Sequence, residues 1–148
     1  MNGRDFLTLA DSLVAGSTEA EWRSAVSRAY YAVFHIARQL FTDLGFTVPQ
    51  SDRAHAYLWY RLSNTGDPQV AWAGSSLNDL RSLRNEADYD LHRLASQTLA
   101  ASHVQLAHRI IQALDSAGNE PTRTQITDAI KDYELNVLHQ VTWRPPPP

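Results

Sequence analysis

Arg84, Asn85 and Asp88 form one of two groups whose types and spacing could do chemistry. At about 100° per residue, Arg84 projects into the apolar stripe Ala73, Leu77, Leu80, Leu83, Ala87 and Leu91, between the directions of Leu77 and Leu80. A guanidinium stays charged, so inside an apolar stripe it needs carboxylate, carbonyl or anion partners. Asp88 follows one helical turn later. One reading is a structural Arg84–Asp88 pair that braces the helix end. The other is an arginine at the rim of a groove that takes a phosphate.

The second group is Glu21, Arg28, Tyr31, His35 and Gln39, with Arg38 in the neighbouring lane. These residues lie roughly 180° from a broad apolar stripe of Trp22, Val26, Ala29, Tyr30, Val33, Ala37, Leu40 and Leu44 on the same helix. A solvated face is the plain reading. Tyrosine and histidine are unusual filler for such a face, so the other reading is a surface that meets a partner or a phosphate. Among the other histidines, His103 reads as a packed core residue, and His108 and His139 as surface residues. No two histidines stand at i and i+4 with a carboxylate, so no metal site is expected.

The elements that position these groups are helices. Glycine and proline break the chain at Gly16, Gly45 to Pro49, Gly66 to Pro68, and Gly118 to Pro121. Between the breaks, apolar residues recur at helical spacing, with no sustained alternation and no Asn-Gly hairpin. The first helix, Asn2 to Ala15, is expected to carry Phe6, Leu9, Leu13 and Val14 on one side. A long helix covers Glu19 to Leu44, opened by a Thr18/Glu21 capping box. Further helices cover Arg53 to Leu62, Gln69 to Ala87, and Ser96 or Thr98 to Leu114, with Asp88 to Ala95 as a break. The last helix starts at Pro121 with a second capping box, Thr122 and Gln125, and a seam of Ile126, Ile130, Tyr133 and Val137. The expected fold class is all-α: an up-and-down bundle of four or five helices over residues 1–118, an appended C-terminal helix over 119–142, and a disordered proline tail over 143–148.

Composition narrows the function. The chain has 148 residues, 43% of them hydrophobic, enough for one globular domain with a real core. There is no cysteine, which removes disulfides, thiolate metal sites and cysteine nucleophiles together. No apolar run reaches the ~18 residues of a membrane span, and the N-terminus lacks a signal-peptide core, so a cytoplasmic location is expected. The formal charge is −3, so any contact with nucleic acid must be local rather than a bulk electrostatic coat. Lys131 is the only lysine; the remaining cations are arginines, which can grip phosphate bidentately but are also what a GC-rich genome encodes by default. There is no glycine-rich phosphate loop and no Ser-His-Asp arrangement.

Two segments carry a family resemblance. Ser27-Arg28-Ala29-Tyr30-Tyr31-Ala32-Val33-Phe34-His35 resembles the signature helix of the HEPN superfamily (higher eukaryotes and prokaryotes nucleotide-binding). Leu80-Arg81-Ser82-Leu83-Arg84-Asn85-Glu86-Ala87-Asp88-Tyr89 resembles its second signature, in the branch with an Arg-x-x-Ala-Asp-Tyr element. His55 falls where that branch often has a histidine. The resemblance covers roughly Arg4 to Ala117 and implies a helical bundle that forms a homodimer through the signature helices. It further implies a metal-independent endoribonuclease without a cofactor, of the kind found in toxin–antitoxin and defence systems. The alternative it implies is a non-catalytic module that binds a nucleotide or a partner protein. Expected partners are a second copy of the chain, RNA or a nucleotide, and, for a toxin, an antitoxin of the minimal nucleotidyltransferase type, with no membrane.

In the family the motif is an arginine, a polar residue, a short spacer and a histidine. Arg84 and Asn85 match its start, but Tyr89 stands where the histidine belongs, and His92 follows with seven residues between. Metal-free RNA cleavage needs a base for the 2′-OH, cations for the phosphorane and an acid for the leaving oxygen. The expected catalytic set is therefore Arg84 as the cation, with His35 or His92 as base or acid. Arg28, Tyr31, Asn85, Asp88, Tyr89 and His55 are expected to bind RNA or nucleotide, or to support the site. A tyrosine such as Tyr89 is a poor base near neutrality, but it can stack on a nucleobase.

Overall fold

The structure is a computed structural model that describes residues 1–145. It contains α1 (Arg4–Val14), α2 (Glu19–Leu44), α3 (Arg53–Ser63), α4 (Pro68–Tyr89), α5 (Gln97–Ala117) and α6 (Thr122–Tyr133), followed by a π-helical turn at Glu134–Leu138. There is no strand among the described residues; Phe46 and Trp143 form one isolated antiparallel bridge. The all-α helical-bundle class is thus observed. No helix of the described residues is long and apolar enough to cross a membrane.

The chain forms two compact units. The first comprises residues 1–36 and 76–111: α1, most of α2, and most of α4 and α5. Its core is Leu7, Ala10, Val26, Ala29, Tyr30, Val33, Leu77, Leu80, Val104, Ala107, Ile110 and Ile111. The second comprises residues 37–75 and the chain from 112 on: the end of α2, α3, the start of α4, the end of α5, α6 and the π-helical turn. Its core includes Phe41, Leu44, Phe46, Leu58, Leu62, Leu114, Ile126 and Ile130.

The α2 stripe read from spacing is buried as expected, Trp22 only partly. The capping box at its start also forms. The Glu21 N–H donates to Thr18 Oγ1 at 3.2 Å, and the Thr18 N–H donates back to Glu21 Oε1 at 3.2 Å. The Thr18 hydroxyl, which also donates to Glu21, holds that carboxyl below its ordinary value.

Three local expectations are corrected. In α1 the buried residues are Leu7 and Ala10, while Leu9 is 44% exposed. The second capping box is absent: the Gln125 N–H goes to the Pro121 carbonyl at 3.3 Å rather than to Thr122, Glu120 takes the Thr124 N–H at 2.8 Å, and Pro121 is the N-cap residue. On α6 the seam runs Ile126, Ile130, Glu134 at steps of four; Tyr133 is half-buried and Val137 is 60% exposed. The π-helical winding from Glu134 puts more residues in each turn than an α-helix does, so each residue rotates through a smaller angle and Val137 falls short of the stripe.

A buried ion pair fixes the second unit's C-terminal segment. Arg61 Nε donates to Glu134 Oε2 at 2.8 Å, and neither side chain reaches solvent appreciably. The Arg61 guanidinium also lies 3.6 Å from the Tyr57 ring centroid. Thr142 donates its N–H to Glu134 Oε1 at 2.9 Å and its hydroxyl to Oε2. The Tyr57 hydroxyl meets the same threonine, and burial pushes that phenol up to about 12. Trp143 and Arg144, which open the expected tail, are tied down: Trp143 Nε1 donates to the Leu44 carbonyl at 2.9 Å and the Arg144 N–H to the Gly45 carbonyl at 3.0 Å. Gly45 permits this with φ +105°, and a Cβ there would stand 2.8 Å from the Arg144 carbonyl oxygen. The expected disordered character of the last prolines, 146–148, lies outside the described residues.

Candidate functional site

The candidate site belongs to the first unit and is built on α2. Arg28, Tyr31 and His35 recur along one face, each half-buried. Phe6 of α1 organises two of them: its ring stacks on His35 with centroids 5.6 Å apart, and the Arg28 guanidinium lies 5.3 Å from its centre. Arg28 is also 5.1 Å from the Tyr31 centroid. Gly3 allows α1 this close, since a Cβ on it would meet the His35 Cβ at 2.7 Å. The face is therefore neither plain core nor freely solvated. It is an arginine held between aromatic rings, with an imidazole two turns on, an arrangement suited to cation–π and stacking contacts.

Arg84 approaches from α4, 8% exposed. Its guanidinium lies 5.3 Å from both the Tyr30 and the Tyr31 ring centroids. One tyrosine ring thus links the two predicted groups, because Tyr31 also lies 6.5 Å from the His35 ring. Burial pushes the Tyr30 phenol well up, keeping it neutral beside the arginine. Asp88 is the carboxylate partner, but at 3.8 Å. Its Oδ2 instead accepts the Ser27 hydroxyl at 3.1 Å, which ties α4 to α2. Arg84 Nε is buried without a hydrogen-bond partner. The expected Arg84–Asp88 pair exists, then, and it leaves the guanidinium with unused capacity.

The other expected residues are placed less tightly. Asn85 is exposed on α4. Tyr89, the last residue of α4, is 76% exposed. His92 is exposed in the irregular stretch between α4 and α5. His55 lies half-buried on α3 in the second unit. Leu91, which spacing put on the α4 stripe, is 72% exposed because the helix stops before it.

Spacing did not single out Arg23. This α2 residue donates to carbonyl oxygens at the end of α4 and just beyond it: Ala87 at 2.9 Å, Asp90 at 3.1 Å, Glu86 at 3.4 Å, and Arg93. A signal was available, since α4 has neither a basic residue in its last turn nor a glycine where it ends. His103, read as a core histidine, is half-buried on α5 and lines a cavity of about 60 Å³ with Trp22, Val26, Leu83 and Leu99. Burial lowers its pKa against a smaller opposing effect of Glu86.

No curated protein and no solved structure matches this chain. The sequence profile of the HEPN domain matches residues 3–117, a stretch that contains α1 to α5 and every residue of the α2–α4 cluster. With most of its length inside that match, the chain belongs to the HEPN domain family.

Proposed function

We propose that this chain is a nucleotide- or RNA-binding HEPN protein that works as a homodimer through the α2 face of Arg28, Tyr31 and His35. The observation that carries this reading is the arrangement around Tyr31: a half-exposed Arg–Tyr–His face backed by the buried, incompletely paired guanidinium of Arg84. Arginine and aromatic faces bind phosphates and unstacked bases without needing a basic protein. Binding rather than cleavage is favoured by where the expected acid and base candidates lie. Tyr89 occupies the family's histidine position, His92 is exposed on an irregular stretch, and Arg84 lies beneath two rings.

A metal-independent endoribonuclease of the toxin type is the second reading. The unpartnered Arg84 Nε favours it, as does His35 one ring away from that cation. A second copy of the chain would then supply the missing acid or base, and an antitoxin of the nucleotidyltransferase type would be the natural partner. One experiment separates the readings. Purified protein is mixed with fluorescein-labelled single-stranded RNA in EDTA, followed by anisotropy and then by a denaturing gel. Binding with intact RNA, weakened on the order of tenfold in Tyr31→Ala, supports the first reading. Cleavage that disappears in Arg84→Ala and His35→Ala supports the second. RNA neither bound nor cut overturns both for this substrate, and a nucleotide titration by calorimetry then tests the nucleotide form of the first.

A further inference from the structure

The stretch from Asp90 to Ser96 follows α4 with little of it buried. Asp90, Leu91, His92, Arg93 and Leu94 are all exposed, Leu94 at 83%. Burial therefore does not hold the stretch in place. The Arg93–Glu86 ion pair at 3.2 Å is largely exposed, and pairs of that kind contribute little. The firm tether is Arg23. Its Nη1 spans the carbonyls of Glu86, Ala87 and Asp90, and its Nη2 reaches that of Arg93.

The last carbonyls of any α-helix lack partners within the helix, and their partial negative charge favours a cation. α4 has no basic residue of its own in its last turn, so α2 supplies the charge. Arg23 is itself aimed by Glu19, whose Oε1 accepts from Nε at 3.0 Å and lies 2.9 Å from Nη2. The arginine side chain is only 11% exposed. A planar fork with five donors can reach this many acceptors at once; a single ammonium nitrogen cannot.

We propose that Arg23 is a positioning residue: by gripping the carbonyls at and beyond the end of α4, it fixes where that helix stops and presents Tyr89 as a rigid ledge on which an unpaired base of single-stranded RNA stacks. This rests on the RNA-binding reading above and adds to it a residue that touches no ligand. The ledge matters because an exposed tyrosine on a loose helix end loses side-chain and backbone freedom when it stacks, whereas one already fixed loses little.

The test uses the full chain with Arg23→Lys, Arg23→Gln, Tyr89→Ala and the double variant Arg23→Gln/Tyr89→Ala. Residue-level hydrogen exchange and anisotropy with a fluorescein-labelled uridine decamer are measured on each. The expected result is amide exchange over residues 89–95 faster by on the order of tenfold in both Arg23 variants, with residues 104–111 unchanged. RNA affinity falls by roughly tenfold in Arg23→Gln, Arg23→Lys does not rescue it, and Arg23→Gln adds almost no loss once Tyr89 is alanine. Unchanged exchange over 89–95 overturns the tether, and faster exchange throughout the first unit reduces Arg23 to a general brace. Full additivity with Tyr89→Ala overturns the route through the tyrosine. If wild-type protein ignores RNA while the local exchange response persists, the RNA-binding reading fails and the role of Arg23 in fixing the ledge stands.

Discussion

Among the described residues two arginines, Arg61 and Arg84, are buried, and they are buried differently. Arg61 meets Glu134 at 2.8 Å, rests 3.6 Å from a tyrosine ring, and faces a carboxylate with no solvent exposure whose second oxygen is also taken. Arg84 meets Asp88 at 3.8 Å, keeps 5.3 Å from its two tyrosine rings, and faces a carboxylate that is 28% exposed and engaged by Ser27. Each leaves one buried nitrogen unpaired: Nη2 in Arg61 and Nε in Arg84. The difference lies in the partner. A carboxylate locked by several donors makes the first pair part of the fold. A carboxylate shared with Ser27 and partly open to water leaves the second cation less firmly paired.

The comparison breaks most readily at Glu134. Glu134→Ala strands a buried guanidinium and should cost about 3–5 kcal/mol in chemical denaturation. Replacing the pair together, as Arg61→Met with Glu134→Leu, should recover most of that loss; failure to recover would mean that the charges do more than cancel each other. Arg84→Ala should cost less, about 1–2 kcal/mol, because Asp88 keeps Ser27 and water, while ligand binding falls by on the order of tenfold. If its stability cost equals that of Glu134→Ala and binding survives, Arg84 is as structural as Arg61. Thr18→Ala, which touches neither arginine, should remove about 1 kcal/mol as the loss of a helix cap and calibrates the other values.

The smallest expected effect depends on pH. The folded pKa of His103 is depressed from 6.5, so the stability it contributes is present above about 6.5 and is lost as pH falls through the folded value. Denaturation midpoints at pH 7.5 and 5.5 should therefore differ less in His103→Gln than in the wild type. Tyr57 works in the opposite sense. Its raised value of about 12 confers stability that is complete below about 10 and lost between 10 and 12, a decline that Tyr57→Phe should reduce.

What could be read directly has its partners close in sequence, although the Thr122/Gln125 box shows that close spacing is not sufficient. The α2 stripe, the Thr18/Glu21 box and the intrusion of Arg84 into an apolar stripe all depend on spacings of three or four residues, and all appear in the structure. The link through Tyr31 was legible only as two separate faces, because nothing in either helix specifies how α2 and α4 meet. Glu134 was missed for a related reason. Its partner Arg61 lies 73 residues away, and a carboxylate on an apolar seam looks like the seam's end until the cation is known. Arg23 was missed because its acceptors are backbone carbonyls, which every residue has and no residue type announces.

The Arg61–Glu134 contact joins a helix inside the matched 3–117 region to a turn outside it. Its consequence is hereditary as much as mechanical. Losing the C-terminal segment one residue at a time carries a penalty at Glu134, where the step would leave a charge stranded in the second unit. A single insertion between α5 and Glu134 would have the same effect by shifting the carboxylate out of reach. Relatives that share the segment should thus carry both charges, and relatives without it should have an apolar or small residue where Arg61 stands. An alignment in which the two positions vary independently would show that the pair is dispensable.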